Sequence, residues 1–139
     1  MKLQITPYEK ALDQLKKSLD YMGSPMAKKD VSLHAQFRGA AIQAFEYSYE
    51  LAVKMIRRQL AQMVPNPQDL AQMTFADLIR TAADAGLIDN VKPFLKYRDA
   101  RNQTSHTYDE DKASDVAKVV PDFYKDASFL LEQLRKRNS

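Results

Sequence analysis

Ala113, Val116, Val120, Phe123, Ala127, Leu130 and Leu134 recur at alternating steps of three and four through the last third of the chain. That spacing lines seven apolar side chains along one side of an α-helix and cannot serve a strand, whose side chains change face at every residue. Such a seam is stable only against other apolar seams, so it commits the chain to helix-on-helix packing. Pro121 sits inside the repeat and should bend the helix near Ala117, because it removes one hydrogen bond and crowds one carbonyl. The tail from Arg135 to Ser139 is expected to fray.

Matching seams precede it. Thr6-Pro7-Tyr8-Glu9 opens a first helix in the manner of a capping box with Pro at N1, and Tyr8, Leu12, Leu15, Leu19 and Met22 carry it to Gly23-Ser24-Pro25. Pro25 to Asp30 reads as a link. A second helix from Ser32 to Met63, stopped by Pro65 and Pro67, carries Ile42, Phe45, Tyr49, Ala52, Ile56, Leu60 and Met63 on one side. Phe37, Ala41, Ala44, Leu51 and Met55 form a second apolar stripe on it. A helix apolar on two sides is central in its bundle or shared with another subunit. Gln43, Glu46 and Tyr47 read as hydrogen-bonding residues along the bundle, and His34 as a surface residue.

Pro65-Asn66-Pro67-Gln68 is a turn, followed by a short helical piece at Asp69 to Met73. Thr74 caps a third helix with Phe75, Leu78, Ile79 and Ala82 that finishes at Gly86. Asp89 or Asn90 starts a fourth, tolerating Pro93 in its first turn and placing Val91, Phe94, Leu95 and Arg98 on successive turns. No segment alternates like a strand. The expected fold is all-α: an up-and-down four-helix bundle with an additional short helix, five in all, as a single domain over residues 1–139.

Composition excludes several classes. Hydrophobic residues at 45% and charged residues at 28% argue against intrinsic disorder. No apolar run reaches the ~20 residues that a membrane span needs, and Met1-Lys2-Leu3-Gln4 opens no signal peptide. With no cysteine there is no disulfide or thiolate chemistry, which fits a reducing, cytoplasmic setting. Two histidines, His34 and His106, with no acid–histidine cluster, speak against a zinc site, and nothing calls for a cofactor. The net charge of +3 permits an anionic partner only if cations gather on one face. Arg57-Arg58, Arg98 with Arg101, and Arg135-Lys136-Arg137 are the candidates, each equally readable as a solvated helix face or end.

Chemistry concentrates in Arg101-Asn102-Gln103-Thr104-Ser105-His106-Thr107-Tyr108, where a guanidinium, an imidazole and a phenol fall within eight residues. On one unbroken helix Arg101 and His106 would project about 140° apart, so the helix must end between them if both are to face one phosphate. Thr104 and Ser105 are indifferent helix formers, and Thr107-Tyr108-Asp109-Glu110 reads as a capping box with Thr107 at N-cap and Glu110 at N3. Arg101 then closes one helix, and His106 precedes another whose N-terminus favours a bound anion. Imidazole exchanges protons near neutral pH and guanidinium offers a planar fork to phosphate, which suits phosphodiester chemistry. Equally, Arg101 could pair with Asp99 or Asp109 and His106 could be a partly buried loop residue. The residue types alone leave both readings open.

Arg101-Asn102-x-x-x-His106-x-Tyr108 resembles the Arg-x-x-x-x-His-x-Tyr signature of the HEPN superfamily, specifically the HepT-like toxins partnered with minimal nucleotidyltransferases. The helix from Arg38 to Ala52, Phe75-x-x-Leu78-Ile79-Arg80 and Ala85-Gly86-Leu87-Ile88 resemble the branch known as nucleotidyltransferase substrate-binding proteins. These blocks span about residues 5 to 135, with one departure: Phe94 stands where a Trp is expected. The resemblance implies a homodimeric bundle in which two Arg–His motifs face each other. It implies metal-independent RNA cleavage with Arg101 and His106 as catalytic residues, Asn102 and Arg98 supporting, and Tyr108 receiving adenylyl groups from a nucleotidyltransferase antitoxin. Two such chains with that antitoxin would make a heterotetramer or larger. The alternative it implies is a non-catalytic substrate-binding subunit of a two-component nucleotidyltransferase, similar to the helical domain of kanamycin nucleotidyltransferase. The chain lacks the Gly-Ser plus paired-Asp nucleotidyltransferase motif, so either reading needs a partner.

Overall fold

In the computed structural model, which describes residues 2–139, the chain forms six α-helices and no strand among those residues. Met1, the first residue of the stretch in which no leader is read, lies outside them. The helices are α1 (Thr6–Met22), α2 (Pro25–Lys29), α3 (Val31–Ala61), α4 (Phe75–Asp84), α5 (Val91–Gln103) and α6 (Glu110–Arg137), with 3-10 turns at Pro67–Gln72 and Thr104–His106. None is long and apolar enough to cross a membrane.

The four long helices and the short α4 correspond to the five expected; α2 is the addition. Pro25 to Asp30 is not a plain link, because the Ser24 side chain accepts from the Ala27 N–H and Pro25 presets the first turn. Asp30, not Ser32, then caps α3 by accepting from the N–H groups of Ser32 and Leu33. At α1 the capping-box reading fails: Thr6 is already helical and Ile5 stands at the N-cap without a side-chain bond. Thr74 and Asn90 cap α4 and α5 as their sequence positions predict. α4 ends in a Schellman turn, with Gly86 at φ +80°, its N–H on the Ala83 carbonyl and the Leu87 N–H on the Ala82 carbonyl.

α3 is the central helix, touching every other element. Its Phe45 and Tyr49 meet Phe123 of α6 at centroid distances of 5.1 and 6.3 Å, and Phe123 meets Tyr97 of α5 edge-on at 5.3 Å. Such pairs add about 0.5–1.5 kcal/mol each beyond area burial. They wedge α5 between α3 and α6 and so set where its last turn falls. Tyr97 is an inward residue that the sequence reading passed over, whereas Leu95, placed with Val91, Phe94 and Arg98 on successive turns, is 37% exposed. The buried Tyr97 hydroxyl donates to Asp126, and burial with that carboxylate drives its phenol well above the ordinary range.

The tail does not fray. α6 runs unbroken past Pro121, which faces solvent, to Arg137. Asn138 accepts from the Leu3 N–H at 2.9 Å and donates to the buried Gln59 side chain at 2.9 Å. Arg137 donates to the Ala85 carbonyl, and Arg135 pairs with Glu9 and Glu132.

Candidate active site

α5 ends where Thr104 turns its hydroxyl back, within 2.8 Å of the Arg101 carbonyl and 2.6 Å of the Glu46 carboxylate. Helix propensity starts this termination and a tertiary bond to α3 completes it. A 3-10 turn through His106 follows. The next helix is capped by Asp109, whose carboxylate accepts from the N–H groups of Asp111 and Lys112 at 2.9 and 3.3 Å. The expected capping box is therefore displaced. Thr107 donates to the Thr104 carbonyl, and Glu110 is drawn away by a two-pronged ion pair with Arg38 of α3 at 3.0 and 2.8 Å. That guanidinium holds the Glu110 carboxyl below its usual range.

The expected anion site at the start of α6 is overturned by the same geometry. Asp109 already occupies the first N–H groups, and Glu110 and Asp111 place further negative charge at the dipole's positive end. A phosphate at this junction has to be held by side chains.

Arg101 projects from the last turn of α5 onto α3. Its Nε donates to Glu50 at 2.7 Å and its Nη1 lies 3.6 Å from Glu46. The partners are neither Asp99 nor Asp109: a residue two positions away points to another side of α5, and Asp109 serves the α6 cap. Glu46 and Glu50 stand one turn apart on α3, so one hydrogen bond and one looser ion pair tether the guanidinium to that helix. Of its five donors, only the Nε–H makes a hydrogen bond among the described residues, and those on Nη2 have no carboxylate partner either. His106 is exposed and its ring meets Tyr108 at 6.2 Å in a T-shaped arrangement. Tyr108 is 86% exposed, and His106 is not the partly buried loop residue that the sequence also allowed.

The two supporting residues behave differently from Arg101. Asn102 is exposed with no side-chain hydrogen bond among the described residues, and Arg98 lies 4.9 Å over the Phe75 ring. No hydrogen bond joins Arg101 to His106 in this single chain. Glu50 is the residue that sequence reasoning missed, and Glu46, expected to hydrogen-bond along the bundle, does so to Thr104 but was not tied to Arg101; their i,i+4 spacing on the central helix was the available signal. The junction carries an exposed imidazole and phenol two residues apart, and a guanidinium held from one side. It can exchange protons, accept a group on a phenol oxygen and grip a phosphate. No three of His, Asp or Glu among the described residues gather as a metal ligand set.

Residues 3–136 match the family described as nucleotidyltransferase substrate binding protein like. A probable ribonuclease HepT from Haemophilus influenzae is 50% identical over 98 residues, which are 70% of this chain and 67% of that protein. A solved structure from Haemophilus influenzae, described as revealing the fold of a substrate binding domain of a nucleotidyltransferase, superposes with a TM-score of 0.89. It is 36% identical, and the match covers 95% of this chain and 99% of that one.

Proposed function

This chain belongs to the nucleotidyltransferase substrate binding protein like family, and from that premise we propose that it is a metal-independent endoribonuclease of a toxin–antitoxin pair. The observation that carries the reading is the α5–α6 junction: His106 stands in solvent beside Tyr108, one short turn beyond an Arg101 whose outer donors remain unpartnered. The similarity to a protein named a probable ribonuclease supports it.

In the proposed reaction the ribose 2′-hydroxyl gives its proton to a histidine and attacks the adjacent phosphorus. The bond from phosphorus to the 5′-oxygen breaks, and that oxygen takes a proton. Products are a 2′,3′-cyclic phosphate and a free 5′-hydroxyl. Arg101 stabilises charge on the non-bridging oxygens, and His106 carries protons. One imidazole cannot act as base and acid at once, so the reading includes a homodimer in which the His106 of a second copy supplies the other proton. The partner is a minimal nucleotidyltransferase that silences the toxin by adenylylating Tyr108, whose hydroxyl is open to an incoming enzyme.

A second reading is favoured by the superposition on a nucleotidyltransferase substrate-binding domain: a non-catalytic subunit that presents an acceptor to a separate enzyme. End-group analysis separates the two. RNA incubated with the protein in EDTA should yield 2′,3′-cyclic phosphate ends. Intact RNA, or cleavage that needs magnesium, would sink the ribonuclease reading.

A further inference from the structure

The chain's arginines divide into two sets. Arg38, Arg80, Arg101 and Arg135 are each paired with carboxylates, and Arg137 is spent on the Ala85 carbonyl and the Gln133 side chain. Arg57, Arg58 and Arg98 have no hydrogen-bonding or carboxylate partner among the described residues, and Arg98 meets only a ring.

These three lie beside the candidate site. Arg57 and Arg58 line an open groove of about 530 Å³ along α3 together with Tyr47, Glu50, Leu51 and Lys54. Glu50 is the residue that accepts from Arg101, so the groove and the candidate site share a wall. Tyr47, Glu50, Lys54 and Arg57/Arg58 follow one another at steps of three and four, a continuous stripe roughly 16 Å long. Arg98 stands one turn before Arg101 on α5. The buried Tyr49 phenol between the helices feels Arg98, Arg101 and Arg57 together, each opposing the burial that pushes it up to about 12. The face holds five cations against the two carboxylates Glu46 and Glu50. The α5–α6 grooves differ in carrying four carboxylates, Asp99, Asp115, Asp122 and Asp126, among their five lysines.

We propose that Tyr47, Lys54, Arg57 and Arg58 of α3, with Arg98 of α5, form the track along which single-stranded RNA leaves the Arg101–His106 site. Unpaired guanidiniums in a row suit a phosphate backbone, and Tyr47, 58% exposed at the head of the stripe, offers a face on which an unpaired base can stack. The proposal rests on the ribonuclease reading for its direction, but binding can be measured apart from cleavage.

The test uses a fluorescent 2′-O-methyl oligouridylate, which cannot make the internal attack, in anisotropy titrations over a range of salt. The double variant Arg57→Gln, Arg58→Gln should bind at least about tenfold more weakly and lower the salt slope by about 1.4, the worth of two phosphate contacts on a single strand. Tyr47→Ala should weaken binding roughly tenfold, and a duplex of the same length should bind less tightly than the single strand. If the parent cleaves RNA but the groove variants bind with unchanged affinity and slope, the track is wrong and the ribonuclease reading survives. If the parent binds in this manner but cleaves nothing, the track stands and the ribonuclease reading falls. No binding by the parent, or variants that change the mass by light scattering while leaving RNA affinity alone, would overturn the track, the latter by showing a protein interface.

Discussion

At the C-terminal end of α6, Arg135 reaches Glu9 and Glu132, Arg137 reaches the Ala85 carbonyl, and Asn138 ties Leu3 to Gln59. At its N-terminal end His106, Tyr108 and Asn102 stand in solvent with no side-chain hydrogen bond among the described residues. Both ends are basic or polar in sequence, and both qualified as places for an anionic partner. The difference lies in what the fold leaves over. The tail's Arg135 and Arg137 are used in closing the bundle, whereas His106, Tyr108 and Asn102 contribute no side-chain hydrogen bond to closure and are available for chemistry beside Arg101.

If that contrast holds, substitutions at the two ends should separate activity from stability. The largest expected effect is on Tyr108. Loss of its hydroxyl in Tyr108→Phe should abolish adenylyl transfer from labelled ATP by the nucleotidyltransferase partner and leave RNA cleavage near parental. Label retained at full level would move the modification to another residue; Tyr8 and Tyr97 are poor substitutes, since both are buried and hydrogen-bonded.

Next comes a matched pair of arginines. Arg101→Lys keeps charge but loses the fork and should slow cleavage by about 10²-fold, the scale of one lost transition-state donor. Arg135→Lys should leave the rate unchanged. Equal losses at both would show that the two ends do not differ as described.

Stability should respond in the opposite sense. Asn138→Ala strands the buried Gln59 oxygen and the Leu3 N–H, at a cost of about 1–3 kcal/mol in urea unfolding, with cleavage per folded molecule unaltered. An unchanged midpoint would mean the tail is not holding the bundle.

The interior phenol Tyr49 sharpens the contrast with Tyr108. Its folded value of about 12 lies above the ordinary value near 10, so its contribution is full below about pH 10 and is lost as pH rises toward 12, on the order of 2 kcal/mol. Tyr49→Phe should flatten that alkaline decline. The smallest effect is at Glu110. Its lowered value makes the Arg38 pair a contribution present at neutral pH and lost as pH falls through the carboxylate range. Glu110→Gln should thus lower the melting temperature slightly at neutral pH and merge with the parent in acid.

Local rules were legible in the sequence and long-range ones were not. Thr74, Asn90 and Gly86 end or begin helices through bonds within a few residues, and each stands where its sequence position predicts. Thr107 and Glu110 satisfy the same kind of rule yet fail, because Asp109 outcompetes Thr107 and Arg38, 72 positions away, claims Glu110. The site residues could be named from their chemistry. Their surroundings could not, since Glu46 and Glu50 meet Arg101 only once the aromatic wedge of Phe45, Tyr97 and Phe123 has set α5 against α3.

The central claim is that the exposed junction, not the closed tail, carries the chemistry, and His106 tests it most directly. The measurement is single-turnover RNA cleavage by His106→Ala beside the parent, with both shown to melt at the same temperature. The account predicts a fall of roughly 10²–10⁴-fold, the usual worth of general acid–base catalysis. Cleavage at the parental rate would contradict it and leave the substrate-binding subunit as the better description of this chain.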